Sequence, residues 1–193
     1  LPDSAEMTVD TVSGWTDLRA FTSMDNKEHN ELWTPPVPGD DVVLSIVVDA
    51  KDMLLVEENV TLTSINIGYR GFYDMVEIAR SGSCNYDVAC PDANDWEDEI
   101  PCVAVISTGG STFCTGFMVN NIRNDRDPLF MTADHCGITA SSAPSLVTFW
   151  NFENVPAVNC PGAGGETASL DQFLTGSNYL SSYATSDFTL VRL

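Results

Sequence analysis

Short runs of apolar residues, either alternating with polar ones or rich in β-branched side chains, recur along this chain and predict strands. Turn clusters such as TGGS, NDRDP and CPGAGGE separate the runs beyond residue 100. Short strands at this spacing are typical of a sandwich or a barrel. The six runs are CVAVIST (102–108), TFCTGFMVNN (112–121), LFMTADH (129–135), SLVTFWNF (145–152), LDQFLTGSNYLSSYA (170–184) and DFTLVRL (187–193).

The first 80 residues contain no cysteine and predict a separate β-domain. A proline-rich stretch, WTPPVPGDD (33–41), leads into this part of the chain, and MTVDTVSGWTDLRAFTS (7–23) is expected to be extended. Three runs of strand character follow: VVLSIVVDA (42–50), MLLVEENVTLTSINIGY (53–69) and FYDMVEIA (72–79). The second unit begins at residue 81 with a loop, in which DANDWEDEI suits one helical turn capped by Asp92 or Asn94.

The net charge of the chain limits the kinds of molecule that it can bind. The chain has 193 residues with 28 acidic and 8 basic side chains, a formal net charge of −20. A nucleic-acid partner is excluded, because phosphate binding requires a cationic face. No stretch approaches the ~18 consecutive apolar residues of a membrane span. The acidic stretches 48–59 and 92–99 are interpreted as solvated surface. No feature of the sequence supports a bound calcium ion.

Six cysteines, all beyond residue 83, point to disulfides. None forms a Cys-x-x-Cys pair, and one neighbouring histidine is too few to complete zinc sites. Disulfides imply an oxidising compartment, so the sequence predicts a secreted protein. The cysteines are Cys84, Cys90, Cys102, Cys114, Cys136 and Cys160.

His135 is the candidate reactive residue. It follows an apolar run in LFMTADHCG and directly precedes Cys136, at the expected end of a strand. A histidine there can be a general base, a metal ligand or a structural group. The metal role lacks a His-x-x-x-His pair or comparable ligands, so neither metal nor cofactor is predicted. The other histidine, His29, lies in the polar run DNKEHNE and is expected to be solvated.

A histidine base requires a carboxylate partner and a nucleophile. In the His, Asp, Ser order of chymotrypsin-type enzymes, the carboxylate must follow His135. Asp187 stands in YATSDFTLVRL, directly before an apolar alternating run, where an unpaired carboxylate would be costly. From this pattern alone, a purely structural role for Asp187, at the start of a strand or as the cap of a turn, is as well supported as a role as the partner of His135.

These residues carry a resemblance to known enzymes. CTGFMVNN…LFMTADHCG resembles the first-barrel core of trypsin/chymotrypsin-fold serine proteases, whose TAxHC motif holds the catalytic histidine. SGSCNYDVACP, TADHCG, TFWNFEN and YATSDFTLVRL are similar to the secreted bacterial lysyl endopeptidase-like branch. WTPPVPGDDVVLSIVV…INIGYRGF resembles the β-rich region that precedes the protease domain in such proteins. Together these segments cover roughly residues 33–193.

The resemblance implies a fold and roles for particular residues. The fold is all-β, with a small N-terminal β-domain at residues 1–80 and a six-stranded antiparallel Greek-key barrel at 81–193, the first half of a chymotrypsin-like double barrel. His135 then matches the general base and Asp187 the orienting carboxylate. The implied disulfides are Cys114–Cys136 and Cys90–Cys160; the family partner of Cys84 lies in the second barrel, and Cys102 has no counterpart. Cys84 and Cys102 either pair with each other or leave a free thiol.

The sequence departs from the family in two ways. The chain stops at Leu193 without the Gly-x-Ser-Gly-Gly-like nucleophile segment, so we expect these residues alone not to be a competent protease. A C-terminal protease barrel is therefore an expected partner, beside a peptide or protein substrate. The chain also runs uncut through Arg80–Ser81, where the resemblance places removal of the pro-region.

Three functions compete at this point. The first is a secreted serine endopeptidase, with a preference for lysine inherited by resemblance only. The second is a non-catalytic structural or binding protein that reuses the fold, because fold does not fix function. The third is a metal-dependent hydrolase, which lacks ligands in the sequence.

Overall fold

The computed structural model describes residues 1–14, 18–67, 88–110, 112–153 and 170–193. This part of the chain is all-β, with one α-helix and several single 3₁₀ turns. No helix within it is long and apolar enough to cross a membrane. The elements are β1 (Glu6–Asp10), β2 (Val43–Val47), α1 (Met53–Asn59), β3 (Val103–Thr108), β4 (Thr112–Val119), β5 (Leu129–Thr132), β6 (Leu146–Trp150), β7 (Phe173–Thr175), β8 (Asn178–Tyr183) and β9 (Phe188–Arg192).

Seven of these strands form one antiparallel sheet in the order β7-β6-β3-β4-β5-β9-β8. Its two edge strands, β7 and β8, are consecutive in the chain and are separated only by Gly176 and Ser177. Because such a short link joins opposite edges, the sheet must curl back on itself into a barrel. The all-β barrel expected from the sequence is thus confirmed.

The predicted run at 170–184 is two strands, which raises the count from six to seven. It divides at Gly176, whose φ of 76° lies in the left-handed region that glycine adopts readily. The Gly176 N–H donates to the Leu146 carbonyl, and both the N–H and the hydroxyl of Ser177 donate to the Ala143 carbonyl. These bonds fix the point where the chain passes from β7, which pairs with β6, to β8, which pairs with β9.

Alternating residues of the strands fill the barrel, as the period of two in their sequences requires. Burial of such side chains contributes about 1.5–3 kcal/mol each relative to exposure. The Trp150 ring packs edge-on against Phe130, with ring centroids 5.9 Å apart. The interior cluster consists of Ala104, Ile106, Phe130, Ile138, Ala143, Leu146 and Val191.

The N-terminal residues pack on the outside of the barrel. β1 pairs with β2, and an isolated bridge joins Met7 to Phe21. A second core cluster combines Met7, Val9 and Phe21 with Val147, Phe149 and Phe173 of β6 and β7. β6 is therefore buried on both faces, which explains its nearly continuous apolar sequence. The proposed units 1–80 and 81–193 share this cluster.

One arginine completes this outer cluster. The Arg19 guanidinium lies over the rings of Phe21 and Phe173, 5.5 and 4.7 Å from their centroids. Its two terminal nitrogens also donate to the two carboxylate oxygens of Asp25, at 3.0 and 2.6 Å. The cation–π contacts and the paired hydrogen bonds attach the loop after Phe21 to β7.

Two local predictions need correction. Residues 53–59 form helix α1 instead of a strand, because Met, Leu and Glu favour helix and Val56 is its only β-branched residue. The helical turn near residue 92 begins at Pro91, so Cys90 occupies the cap position expected of Asp92 or Asn94. The predicted strand 72–79 lies outside the described residues.

Candidate active site

His135 lies in a tight turn just beyond β5. The strand ends at Thr132, three residues earlier than the run 129–135 predicts, and a 3₁₀ turn spans Asp134–Cys136. Gly137, with φ at 75°, ends the turn, and its N–H donates to the Asp134 carbonyl. The turn redirects the chain and exposes the imidazole at the barrel rim.

A disulfide attaches this turn to the neighbouring strand. Cys136, which is buried, is bonded to Cys114 of β4 across 22 positions, with 6.1 Å between the Cα atoms. The sequence-implied pairing is therefore present. Closing a loop of this length stabilises the fold by about 3 kcal/mol in the chain-entropy model. It also limits movement of His135, one residue away.

Asp187 lies at the start of β9, the strand that pairs with β5. It ends the turn Ala184–Ser186 and precedes β9, with φ and ψ of 52° and 50°. Aspartate is among the residues that tolerate this left-handed conformation. The ladder pairs Thr132 with Thr189, so the end of β5 and the start of β9 meet at the same rim.

Both oxygens of the Asp187 carboxylate bond to His135. Oδ2 lies 2.7 Å from Nδ1, and Oδ1 accepts the backbone N–H of His135 at 2.9 Å. The His135 backbone N–H, followed by its side chain, holds the pKa of Asp187 below its usual 3.8. An ionised carboxylate is only an acceptor, so Nδ1 carries the proton and Nε2 presents a lone pair.

The imidazole is open on its far side. The His135 side chain is 71% exposed and that of Asp187 is 49% exposed. No described residue hydrogen-bonds to Nε2. The arrangement can therefore accept a proton at Nε2 while Asp187 stabilises the resulting imidazolium.

At the opposite end of the β5–β9 pair, the carboxylate of Asp127 links the two strands. Asp127 accepts two hydrogen bonds from the Arg192 guanidinium, from Nε at 2.7 Å and from Nη2 at 2.9 Å. The partner of this carboxylate is the permanently charged Arg192, whereas the partner of Asp187 is the titratable ring of His135. β5 and β9 are thus fixed in register at both ends.

Three potential metal ligands lie at the same place. The donor atoms of Cys114, His135 and Cys136 lie within 4.8 Å of one another. Zinc binds cysteine as thiolate, whereas both sulfurs here belong to the disulfide. With the disulfide formed, His135 is the only residue of the three that can ligate a metal ion.

His29 is half-buried, whereas the sequence predicts a solvated side chain. Its Nε2 is buried and has no hydrogen-bond partner among the described residues, and its Nδ1 accepts the Glu31 N–H at 3.1 Å. The ring lies against Gly176, where an added Cβ would be 2.9 Å from Nε2. Burial lowers the pKa of His29 from its usual 6.5. No signal in DNKEHNE reveals this contact, because its other half lies far along the chain.

The remaining cysteines are partly described. Cys90 is disulfide-bonded, but the predicted pairing with Cys160 lies outside the described residues, as does Cys84. Cys102 is a free, exposed thiol. Of the two alternatives for Cys84 and Cys102, the free thiol is therefore the one present.

Comparison with known proteins identifies the family. The family described as lysyl endopeptidase, C-terminal domain, matches residues 78–193. This chain belongs to that family. The lysyl endopeptidase of Pseudomonas aeruginosa is 27% identical over 177 residues, which cover 83% of this chain and 37% of that protein. The chain thus spans little more than a third of the length of this lysyl endopeptidase. The range matched by the family, 78–193, contains both His135 and Asp187.

Proposed function

We propose that this chain contributes the histidine and the aspartate of a secreted serine endopeptidase. The observation that carries the proposal is the hydrogen bond between Nδ1 of His135 and Oδ2 of Asp187, with Nε2 left open. Membership of the lysyl endopeptidase family supports peptide-bond hydrolysis as the reaction. The disulfide Cys114–Cys136 suits an oxidising, extracellular environment.

In this mechanism His135 acts as general base and then as general acid. Nε2 removes the proton from a serine hydroxyl as its Oγ attacks the carbonyl carbon of the scissile bond. The imidazolium then transfers that proton to the leaving amine, and an acyl-enzyme forms. A water molecule repeats the sequence: His135 takes its proton, the acyl bond breaks, and the serine regains its hydrogen.

Asp187 holds the ring in the productive tautomer. Its two bonds to one residue, from the backbone N–H and from Nδ1, fix both the position and the rotation of the imidazole. Its negative charge stabilises the imidazolium formed in each half-reaction. The lowered pKa of Asp187 keeps the carboxylate ionised throughout the neutral range.

The proposal assigns the nucleophile to a second, C-terminal barrel. That barrel would also supply the oxyanion hole and the pocket that selects the residue before the cleaved bond, lysine by analogy with the relative's name. Within this chain, residues 1–80 are proposed as the N-terminal β-region and residues 81–193 as the first barrel. Cys90–Cys160 is proposed as the second disulfide of that barrel.

The test uses the complete gene product that contains this chain. Parent, His135→Ala and Asp187→Asn are compared on lysine-containing peptides and with a serine-directed fluorophosphonate. We expect each substitution to lower kcat/KM about 10⁴-fold, as for other Ser-His-Asp enzymes. Asn replaces Asp187 without backbone strain, because it also tolerates the left-handed conformation. Cys102→Ser, which alters an exposed thiol, is the control and should retain parent activity.

The alternative is a non-catalytic protein built on the same fold. It predicts that the complete parent neither hydrolyses any peptide nor reacts with the fluorophosphonate, although it is folded. That result would replace the enzymatic proposal by a binding or structural one.

A further inference from the structure

Thr132 lies where β4, β5 and the turn of His135 meet. It is the last residue of β5 and is 4% exposed. Its hydroxyl donates to the Thr115 carbonyl of β4 at 2.7 Å. The same oxygen lies 3.4 Å from Sγ of Cys136. One buried side chain therefore contacts both the neighbouring strand and the half-cystine that follows His135.

The backbone of β4 allows this contact. Gly116 pairs with Thr132 across the ladder, and a Cβ at Gly116 would overlap the Phe130 ring and the Met131 carbonyl. The ring therefore occupies the space of the missing side chain, and the two strands lie close. That proximity holds the Thr115 carbonyl within reach of the Thr132 hydroxyl.

The strand on the other side provides a natural contrast. Thr189 of β9 pairs with Thr132 and is fully buried. Its hydroxyl has no hydrogen-bond partner among the described residues. Two threonines in register thus occupy the same buried layer beneath His135 and Asp187. Among the described residues, the Thr132 hydroxyl has a hydrogen-bond partner and the Thr189 hydroxyl has none.

We infer that Thr132 is a positioning residue for His135, acting through its buried hydroxyl; this inference rests on the function proposed above. Thr132 fixes the start of the turn to β4, and the disulfide fixes its end to β4 as well. His135 lies between these two attachments. Without the first attachment the turn can shift about the disulfide, and Nδ1 then loses its alignment with Oδ2 of Asp187.

The experiment measures the tautomer of His135 in this chain. The chain has two histidines, so ¹⁵N NMR of the imidazoles resolves both rings, with His29→Gln for assignment. A ring held by Asp187 carries its proton on Nδ1, whereas an unrestrained ring shares it between the nitrogens. This ratio reports alignment at His135 and is separate from the overall stability of the fold.

The two valine variants are isosteric with threonine and form a matched pair. Thr132→Val keeps the shape and removes the donor, and we expect the Nδ1–H to Nε2–H ratio of His135 to fall about fivefold, the effect of one ordinary hydrogen bond. Thr189→Val makes the same change at the paired position and should leave the ratio as in the parent. Thr132→Ser retains a hydroxyl and should also give the parent ratio.

A parent-like ratio in folded Thr132→Val would overturn the inference, as would equal losses in Thr132→Val and Thr189→Val. If Thr132→Val does not fold, Thr132→Ala takes its place: a lowered ratio beside the parent ratio of Thr132→Ser supports the role, and a parent ratio in Thr132→Ala refutes it. No substrate is needed for this measurement. Failure to hydrolyse peptides therefore refutes the proposed function, and an unchanged ratio refutes the role of Thr132 alone.

Discussion

The two histidines of this chain occupy opposite surroundings. The His135 ring is largely exposed, has a carboxylate on Nδ1 and presents Nε2 to solvent. His29 has its Nε2 buried against Gly176, and its Nδ1 accepts a backbone N–H. These partners assign the proton to Nδ1 in His135 and to Nε2 in His29, so the neutral rings hold opposite tautomers.

This contrast shows what makes an imidazole a usable base. Both residues directly follow an acidic residue, Glu28 or Asp134, so a neighbouring carboxylate in the sequence does not separate them. The difference is made by long-range contacts: Asp187 reaches His135 through the β5–β9 ladder, whereas Gly176 covers His29. A lone pair that faces solvent and a carboxylate that stabilises the charged ring are both needed, and only His135 has them among the described residues.

The largest effect is expected from the disulfide beside His135. Replacing both Cys114 and Cys136 by serine should lower the free energy of unfolding by about 3 kcal/mol, because the unfolded chain regains the entropy of an open loop. Urea unfolding followed by tryptophan fluorescence measures this loss. The control is Cys102→Ser, an exposed free thiol, which should unfold at the parent midpoint. Equal midpoints for all three proteins would contradict the expectation.

The next largest effect is expected in the chemical reactivity of the His135 and His29 rings. Diethyl pyrocarbonate should acylate His135 about 100-fold faster than His29, because a buried nitrogen reacts only after local opening of the structure. Peptide mapping by mass spectrometry at short reaction times gives both rates in one sample. Comparable rates at the two positions would show that the segment around His29 is open in solution.

A smaller effect is expected from Gly176→Ala. The new Cβ would lie 2.9 Å from Nε2 of His29, and φ at 76° is unfavourable for alanine, so stability should fall by about 2 kcal/mol. In a His29→Ala background the clash with the ring disappears, whereas the close approach to Lys27 Cγ, 3.1 Å away, and the conformational part stay. A double-mutant cycle in urea measures that coupling. A coupling of zero would mean that the ring does not pack on Gly176.

The smallest effect is a pH dependence that comes from His29. Its pKa is lowered by burial, so folding favours the neutral ring. The stabilisation is complete above pH 6.5 and is lost as the pH falls from 6.5 through the lower pKa of the folded state. Thermal unfolding between pH 7.5 and 5 should show uptake of less than one proton per molecule on unfolding. His29→Gln should remove this component, and a variant with the parent's pH dependence would contradict the assignment.

Much of the barrel follows from the sequence alone. The runs that became β3, β4 and β9 alternate as a strand with one buried face does, and the nearly continuous apolar run of β6 suits a strand buried on both faces. His135 and Asp187 were selected by their positions beside such runs and by the resemblance to a protease family. Cys114–Cys136 came from that resemblance, since spacing alone leaves the pairing of six cysteines open.

Other features depend on contacts that no local pattern records. The division at Gly176 requires knowing that β7 pairs with β6 while β8 pairs with β9. The burial of His29 depends on the same glycine, in a distant part of the sequence. Helix α1 was missed because its apolar residues were taken for strand, although its side chains are largely exposed and the helix propensity of Met, Leu and Glu prevails.

The position of β9 has a consequence for biosynthesis. It follows every other described strand in the chain, yet it inserts between β5 and β8 in the interior of the sheet. While the ribosome has delivered only the earlier strands, β5 has an unpaired edge that can attract other nascent chains. The Asp187–His135 contact can form only when β9 enters this gap. The contact between His135 and Asp187 therefore forms late in the assembly of this barrel, after the other described strands have been synthesised.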